Sequence, residues 1–264
     1  MREDRIGSER PVVSAAGDDL VLFASDMHLG EHDPGTVDFF FEALTRESSA
    51  ITHLFLLGDL FEVWVGDDQS DAIAERLIET LSGLRGRGVW IGVMVGNRDF
   101  LLNQPIAGTA SFSARCGALM LADPTRVDLF GQPTLLAHGD AWCLDDVDYQ
   151  RFRAQVRTPD WQQVFLAKPL AERLAVARAL RSESEKRRAI TDIDPSAAAT
   201  QMRAFGVRRL IHGHTHQPGE SVLEGEAPAE LRRNVLSDWS AADGRGGFLR
   251  VNRQGWSRTA AAPT

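Results

Sequence analysis

Five short blocks of the chain end in side chains that bind metals. They are Ser25-Asp26-Met27-His28, Leu57-Gly58-Asp59, Val95-Gly96-Asn97-Arg98-Asp99, Ala137-His138-Gly139-Asp140 and His212-Gly213-His214-Thr215-His216. The candidate ligands are carboxylates, imidazoles and one amide oxygen: Asp26, His28, Asp59, Asn97, His138, His214 and His216. No thiolate is needed, so the mixture suits hard or borderline ions such as Mn²⁺, Mg²⁺, Fe²⁺ or Zn²⁺. Asp26-x-His28 and His214-x-His216 each place two side chains on one side of an extended segment, because side chains alternate along a strand. These ligands exceed the needs of one four-coordinate ion and suit two ions sharing a carboxylate. A dinuclear pair clamps a phosphoryl centre and lowers the pKa of bound water towards about 7, giving a hydroxide able to attack phosphorus in line. Any one of these histidines alone reads as an ordinary loop or core residue; together the blocks describe a reaction centre.

The elements that must position them are equally visible. Each block follows an apolar run short enough for a buried strand: Leu20–Ala24, His53–Leu57, Val89–Val95, Thr134–Ala137 and Arg208–Ile211. The ligands therefore sit just past strand C-terminal ends, where open α/β sheets build their sites. Thr36–Glu47 and Ser70–Arg85 carry apolar residues at helical spacing, and the second ends at glycines. Strands alternating with helices predict an α/β layered domain. Further short strands are expected near Asn234–Leu236 and Gly247–Val251.

The 264 residues allow one large domain or two small ones, and a hydrophobic content of 43% supports a real core. A net charge of -8 argues against general nucleic-acid binding. The two cysteines, Cys116 and Cys143, make no disulfide framework and suit a reducing compartment. Cys143, five residues after His138, could ligate a metal, but a small half-buried residue is the preferred reading. His53 and His212 read as packing residues, and His32 as a surface residue or a neighbour of the site. No secretory signal and no apolar run near the ~20 residues of a membrane span are visible, which predicts a cytoplasmic or peripheral protein. Residues 1–18 and 259–264 read as disordered tails around a domain spanning 19–258.

A segment at about 145–205 has no clear strand and several helical windows: Asp146–Arg157, Trp161–Ala167 and Pro169–Arg188. Between residues 151 and 190 it holds ten Lys/Arg against four Asp/Glu, in an otherwise acidic chain. It also carries Phe152, Trp161, Val164, Phe165, Leu166, Leu170, Leu174 and Leu180. It reads either as a solvated bundle packed on the core or as a cationic, apolar-lined cap over a lipid-bearing anion or membrane surface. Composition alone leans to the former.

Taken in order, Asp-x-His, Gly-Asp, Gly-Asn-x-Asp, His and Gly-His-x-His resemble the calcineurin-like metallophosphoesterases over roughly residues 20–255. The resemblance implies a two-sheet sandwich flanked by helices. It also implies one ion on Asp26, His28, Asp59 and His216, and a second on Asp59, Asn97, His138 and His214, with Asp59 as the bridge. Longer strings, from Leu57 to Asp68, Gly96 to Leu102, His138 to Tyr149 and Ile211 to Pro218, are similar to the UDP-2,3-diacylglucosamine pyrophosphohydrolases of lipid A synthesis. In that family a helical insertion caps the site and holds two acyl chains. The resemblance implies hydrolysis of UDP-2,3-diacylglucosamine by attack at the α-phosphorus, giving UMP and 2,3-diacylglucosamine 1-phosphate. It further implies two divalent ions, with Mn²⁺ expected, and peripheral association with the cytoplasmic face of the inner membrane. The alternatives are another pyrophosphate or nucleotide substrate on the same fold, or a non-catalytic scaffold, which should show a broken ligand set.

Arg98 stands where many phosphoesterases of this class carry a histidine that can protonate the leaving group. Arginine stays protonated and cannot be that acid, but its planar fork grips phosphate. A leaving phosphate, with its second proton lost near pH ~6, needs no such acid. Anhydride cleavage therefore fits better than monoester cleavage. By the resemblance Asn97, Arg98 and His214 would touch the substrate, and Asp146 and Tyr149 would reach the sugar and the cap. Helix capping is the competing role for Asp146, and core packing the preferred one for Tyr149. Ser184 matches the family's substrate-contacting serine. Lys186 and Arg188 are candidate replacements for its lysine, or plain surface charges, because the segment after Ser184 is about five residues short of the family's pattern.

Overall fold

The computed structural model describes residues 11–186 and 191–259, with the side chains of 182–186 excluded. Two six-stranded sheets stack face to face. The first runs β12(Gly255–Arg258)-β11(Leu249–Asn252)-β2(Val21–Ala24)-β3(His53–Leu57)-β4(Trp90–Met94)-β5(Leu119–Met120). The second runs β1(Ser14–Ala15)-β6(Thr125–Leu129)-β7(Gln132–Ala137)-β8(Arg209–His212)-β10(Leu231–Val235)-β9(Gly219–Glu224). Strands β2 to β5 are parallel, as are β7 with β8 and β8 with β10. The five expected strands are thus all present, at the centres of their sheets.

Their apolar runs are continuous because both faces are covered. Val21, Phe23, Phe55, Leu57 and Met94 point between the sheets to meet Val127, Leu136 and Ile211. Leu22, Ala24, Leu54, Leu56, Ile91 and Val93 point outward beneath α1(Pro34–Glu47) and α2(Ala72–Gly86). Asp33 caps α1 by accepting from the Thr36 amide, and Asp71 caps α2, which explains where these helices start. A short helix, α3(Phe112–Cys116), follows β4.

The insertion divides in two. Helices α4(Val147–Val156), α5(Pro159–Leu166) and α6(Leu170–Lys186) form the cap. The fourth, α7(Pro195–Ala204), does not belong to it: Ala198, Ala199 and Met202 pack with Leu135, Ala137 and Leu210 on the outer face of the second sheet. The expected cap boundary near 205 is therefore too long, because α7 supplies the helical layer that this sheet needs. The expectation of a disordered tail through residue 18 is also corrected. Ser14 and Ala15 pair in parallel with Asp128 and Leu129, and Ala15 is buried; residues 1–10 lie outside the described part. Thr259 likewise joins the fold, its amide donating to the Phe248 carbonyl.

The cap docks through an apolar cluster and one buried cation. Phe165 packs with Val65 and Leu101, joined by Phe100, Trp161, Leu170 and Leu174. Arg173 is 2% exposed; it donates to the Val65 carbonyl at 2.6 Å and pairs with both oxygens of Asp68. Removing one partner of such a pair costs about 3–5 kcal/mol. Arg173→Ala should therefore release the cap locally. Native-state proteolysis should cut α5 and α6 much faster, while the main thermal transition moves little; unchanged cleavage would show that the pair does not hold the cap.

Candidate metal centre

The ligands leave the sheets at the C-terminal ends of β2, β3, β4, β7 and β8, and the loops there are stitched by backbone hydrogen bonds. His28 N–H donates to Asp59 O, Leu29 N–H to Leu60 O and Glu62 N–H to Leu29 O, while Gly213 N–H donates to His138 O. Asp26, His28, Asp59, His214 and His216 all have positive φ, from 49° to 67°. Non-glycine residues rarely adopt this region, and where they do a site is often responsible. These five make up most of the seven such residues described.

Two ligand clusters result. Asp26, His28 and His216 form one; Asp59, His138 and His214 form the other, each with donor atoms within 4.8 Å of one another. Asp59 sits between them: its Oδ2 is 3.8 Å from His28 Nε2 and its Oδ1 is 3.7 Å from His138 Nε2. Asn97 Oδ1 lies 3.0 Å from His138 Nε2 and 2.9 Å from His214 Nδ1, converging on the second cluster. All seven predicted ligands are thus brought to one place.

The donor chemistry fits cations. Both ring nitrogens of His28 are buried; Nδ1 faces Glu62 Oε2 at 3.2 Å and Nε2 faces Asp59 Oδ2 at 3.8 Å, and among the described residues neither meets a partner in good hydrogen-bond alignment. Burial would raise Asp26, but its hydrogen bond with His216 and the charges of His138, His216 and His28 hold it well below the carboxylate range. Burial would lower His138, but Asp59, Asp26 and Asp140, with the Leu57 carbonyl, push it up to about 9. Burial and the neighbouring His138 charge push His214 down to about 4, keeping its lone pair free. The carboxylates here demand positive charge, which the imidazoles partly supply.

Glycine permits the approach of the loops. A Cβ on Gly96 would lie 2.1 Å from Asp59 Oδ1, and one on Gly213 would lie 2.4 Å from Asp26 Oδ2. This explains the glycine before Asn97 and the one before His214. Asp99 is buried and braces the same loops, accepting from Gly96 N–H at 2.6 Å and Leu60 N–H at 2.7 Å. Burial and the Asp59 charge raise it to about 6.

The remaining predicted residues distribute differently. Arg98 lies at the edge of the site, with its Nε buried and without a hydrogen-bond partner among the described residues. Asp146 caps α4 by accepting from Tyr149 N–H, and it is exposed. Tyr149 is not simply core packing, because its hydroxyl donates to buried Asp140 at 2.5 Å and its ring faces His214 at 6.2 Å. The Ser184 and Lys186 side chains and all of Arg188 lie outside the described residues. Cys143 is buried with its thiol towards the Thr191 carbonyl, and burial pushes it up to about 12, which does not favour a thiolate ligand. His212 is buried beside the Gly213 carbonyl, His53 bonds Thr52, and His32 is exposed.

Sequence reasoning missed Glu62, Asp140, Arg153 and Arg157. Asp140 carries Tyr149, Arg153 at 2.8 Å and Arg157 at 3.6 Å, and Arg157 also donates to the Gly96 carbonyl at 2.8 Å. Asp140 stood within the fourth block, where its carboxylate was a signal; Glu62, in the Leu57–Asp68 string, and Arg153 and Arg157, in the basic insertion, read there as ordinary charges. Gly96→Ala tests the packing argument. The added methyl should cost about 1–3 kcal/mol of stability and weaken Mn²⁺ binding measured calorimetrically; wild-type melting and metal affinity together would refute it.

The calcineurin-like phosphoesterase family model matches residues 20–218. The chain is 41% identical over 247 residues to UDP-2,3-diacylglucosamine hydrolase of Cellvibrio japonicus (strain Ueda107), covering 91% of this chain and 95% of that one. It is 39% identical to the protein of that name from Stenotrophomonas maltophilia (strain K279a) and 42% identical to that from Chromobacterium violaceum; each match covers 89% of this chain and 96% of the relative. With its ligand blocks gathered at the strand ends of a two-sheet sandwich, the chain belongs to the calcineurin-like phosphoesterase family.

Proposed function

We propose that this protein hydrolyses the pyrophosphate bond of UDP-2,3-diacylglucosamine, releasing UMP and 2,3-diacylglucosamine 1-phosphate. The observation that carries the reading is Asp59, whose two oxygens face separate ligand clusters beside an apolar-lined cap. Asp26, His28, Asp59 and His216 would hold one divalent ion; Asp59, Asn97, His138 and His214 would hold the other. Mn²⁺ fits this mixed oxygen and nitrogen set. Two such ions supply an activated water and a Lewis-acid clamp on phosphorus.

The chain's own residues do the rest. Asp59 keeps both clusters in register. Arg98, its Nη1 beside Glu62 at 3.5 Å and its buried Nε without a hydrogen-bond partner among the described residues, binds a phosphoryl oxygen and offsets charge on the departing phosphate without giving up a proton. The Tyr149 hydroxyl is committed to Asp140, so it positions His214 through its ring and does not act as an acid. Asp146 sets the start of α4 and stays exposed to reach the sugar. The apolar residues around Phe165 and Trp161 suit acyl chains. Ser184, Lys186 and Arg188 remain candidates for substrate contact.

A bilayer-borne substrate places the reaction at a membrane surface. No helix of the described residues is long and apolar enough to cross one. The cap exposes Val164, at 67%, and Leu180 among basic residues, a combination that suits peripheral contact with the cytoplasmic face of the inner membrane. Purified protein with Mn²⁺ and UDP-2,3-diacylglucosamine should yield UMP and a lipid monophosphate, identified by mass. Turnover of simple nucleotide diphosphates with none of the lipid substrate would overturn the reading. Asp59→Ala should abolish turnover with little change in the circular dichroism spectrum; full activity would remove Asp59 from the bridge.

A further inference from the structure

Glu62 belongs to no ligand cluster, yet it is buried at 8% exposure on the loop that follows Asp59. Two backbone hydrogen bonds fix it there: its own N–H donates to Leu29 O, and Leu29 N–H donates to Leu60 O. Residues 29 and 61 also form an isolated parallel bridge. The loops after β2 and β3 are thereby zipped, and the carboxylate is delivered to three cations or potential cations. Its Oε2 lies 3.2 Å from His28 Nδ1. Its Oε1 lies 3.5 Å from Arg98 Nη1 and 2.5 Å from Arg181 Nη1. These partners come from three parts of the chain: the β2 loop, the β4 loop and cap helix α6.

The two oxygens do different work. A carboxylate facing Nδ1 draws the ring proton to that nitrogen and leaves the Nε2 lone pair free, pointing towards Asp59 at 3.8 Å. Carboxylate partners of this kind orient metal-binding imidazoles and raise their basicity. The other oxygen holds two guanidinium groups side by side, though like charges would otherwise drive them apart. We infer that Glu62 is a positioning residue that fixes His28 for metal binding and pairs Arg98 with Arg181 as joint donors to the substrate's phosphate.

This rests on the dinuclear reading of the site, and the experiment separates the two. Calorimetric titration of chelator-stripped protein with Mn²⁺ should show two sites in the wild type. Glu62→Gln, close in size, should weaken one of them by about 10–100-fold and leave the other near its wild-type affinity. At saturating Mn²⁺ the same variant should raise KM for UDP-2,3-diacylglucosamine several-fold, because the arginines are no longer paired. Glu62→Ala should reproduce both effects, and thermal melting of the stripped proteins identifies any variant that fails to fold. Wild-type affinity at both sites in folded Glu62→Gln overturns the role at His28. Unchanged KM at saturating metal overturns the role at the arginines. A wild type that binds no Mn²⁺ refutes the dinuclear site itself.

Discussion

The candidate metal centre depends on holding buried carboxylates and imidazoles within a few ångströms of each other. Two like charges 4 Å apart repel by about 4 kcal/mol at an effective dielectric constant of 20. Asp26, Asp59, Asp99 and Asp140 are all buried in this one region. Nothing local to any single loop could keep them there. What does so is the continuation of sheet-like hydrogen bonding beyond the strand ends, where Asp26 N–H reaches Gly58 O, His28 N–H reaches Asp59 O and Trp64 N–H reaches Arg98 O. The loops form an extension of the sheets, and the sandwich resists their mutual repulsion.

That resistance comes from burial on both faces of the central strands. β2, β3 and β4 sit between an inter-sheet core and a helical layer, so their ends cannot shift without disturbing both. Backbone strain at five ligand positions is sustained by the same packing. The missing Cβ atoms of Gly96 and Gly213 complete the arrangement by letting carboxylates touch the backbone of the neighbouring loop.

Much of this was legible in the sequence. Each ligand block follows a strand whose apolar run is uninterrupted, so both the strand and the direction of its ligands could be read locally. Glu62 and Arg157 were not legible for the opposite reason. Each is an ordinary charged residue in its own neighbourhood, and its importance comes largely from partners distant in sequence, such as Glu62 with His28 or Arg157 with Gly96. The edge strand Ser14–Ala15 is too short to carry a periodic signal. Helix α7 was absorbed into the cap because its alanine-rich core face reads weakly, and only the uncovered outer face of the second sheet explains its place.

The cap shows how a charge pattern acquires meaning from geometry. Its positive excess is compatible with a solvated surface, but three of its arginines end on core loops near the ligands. Arg157 meets the Gly96 carbonyl, Arg173 meets Val65 and Asp68, and Arg181 meets Glu62. These polar contacts are directional and set where the cap sits. Between them lies the cluster around Phe165, Trp161 and Leu174, held by contacts that have no preferred direction. The directional anchors therefore set the position of the cap over the loops, and the apolar cluster adds burial without fixing an orientation of its own.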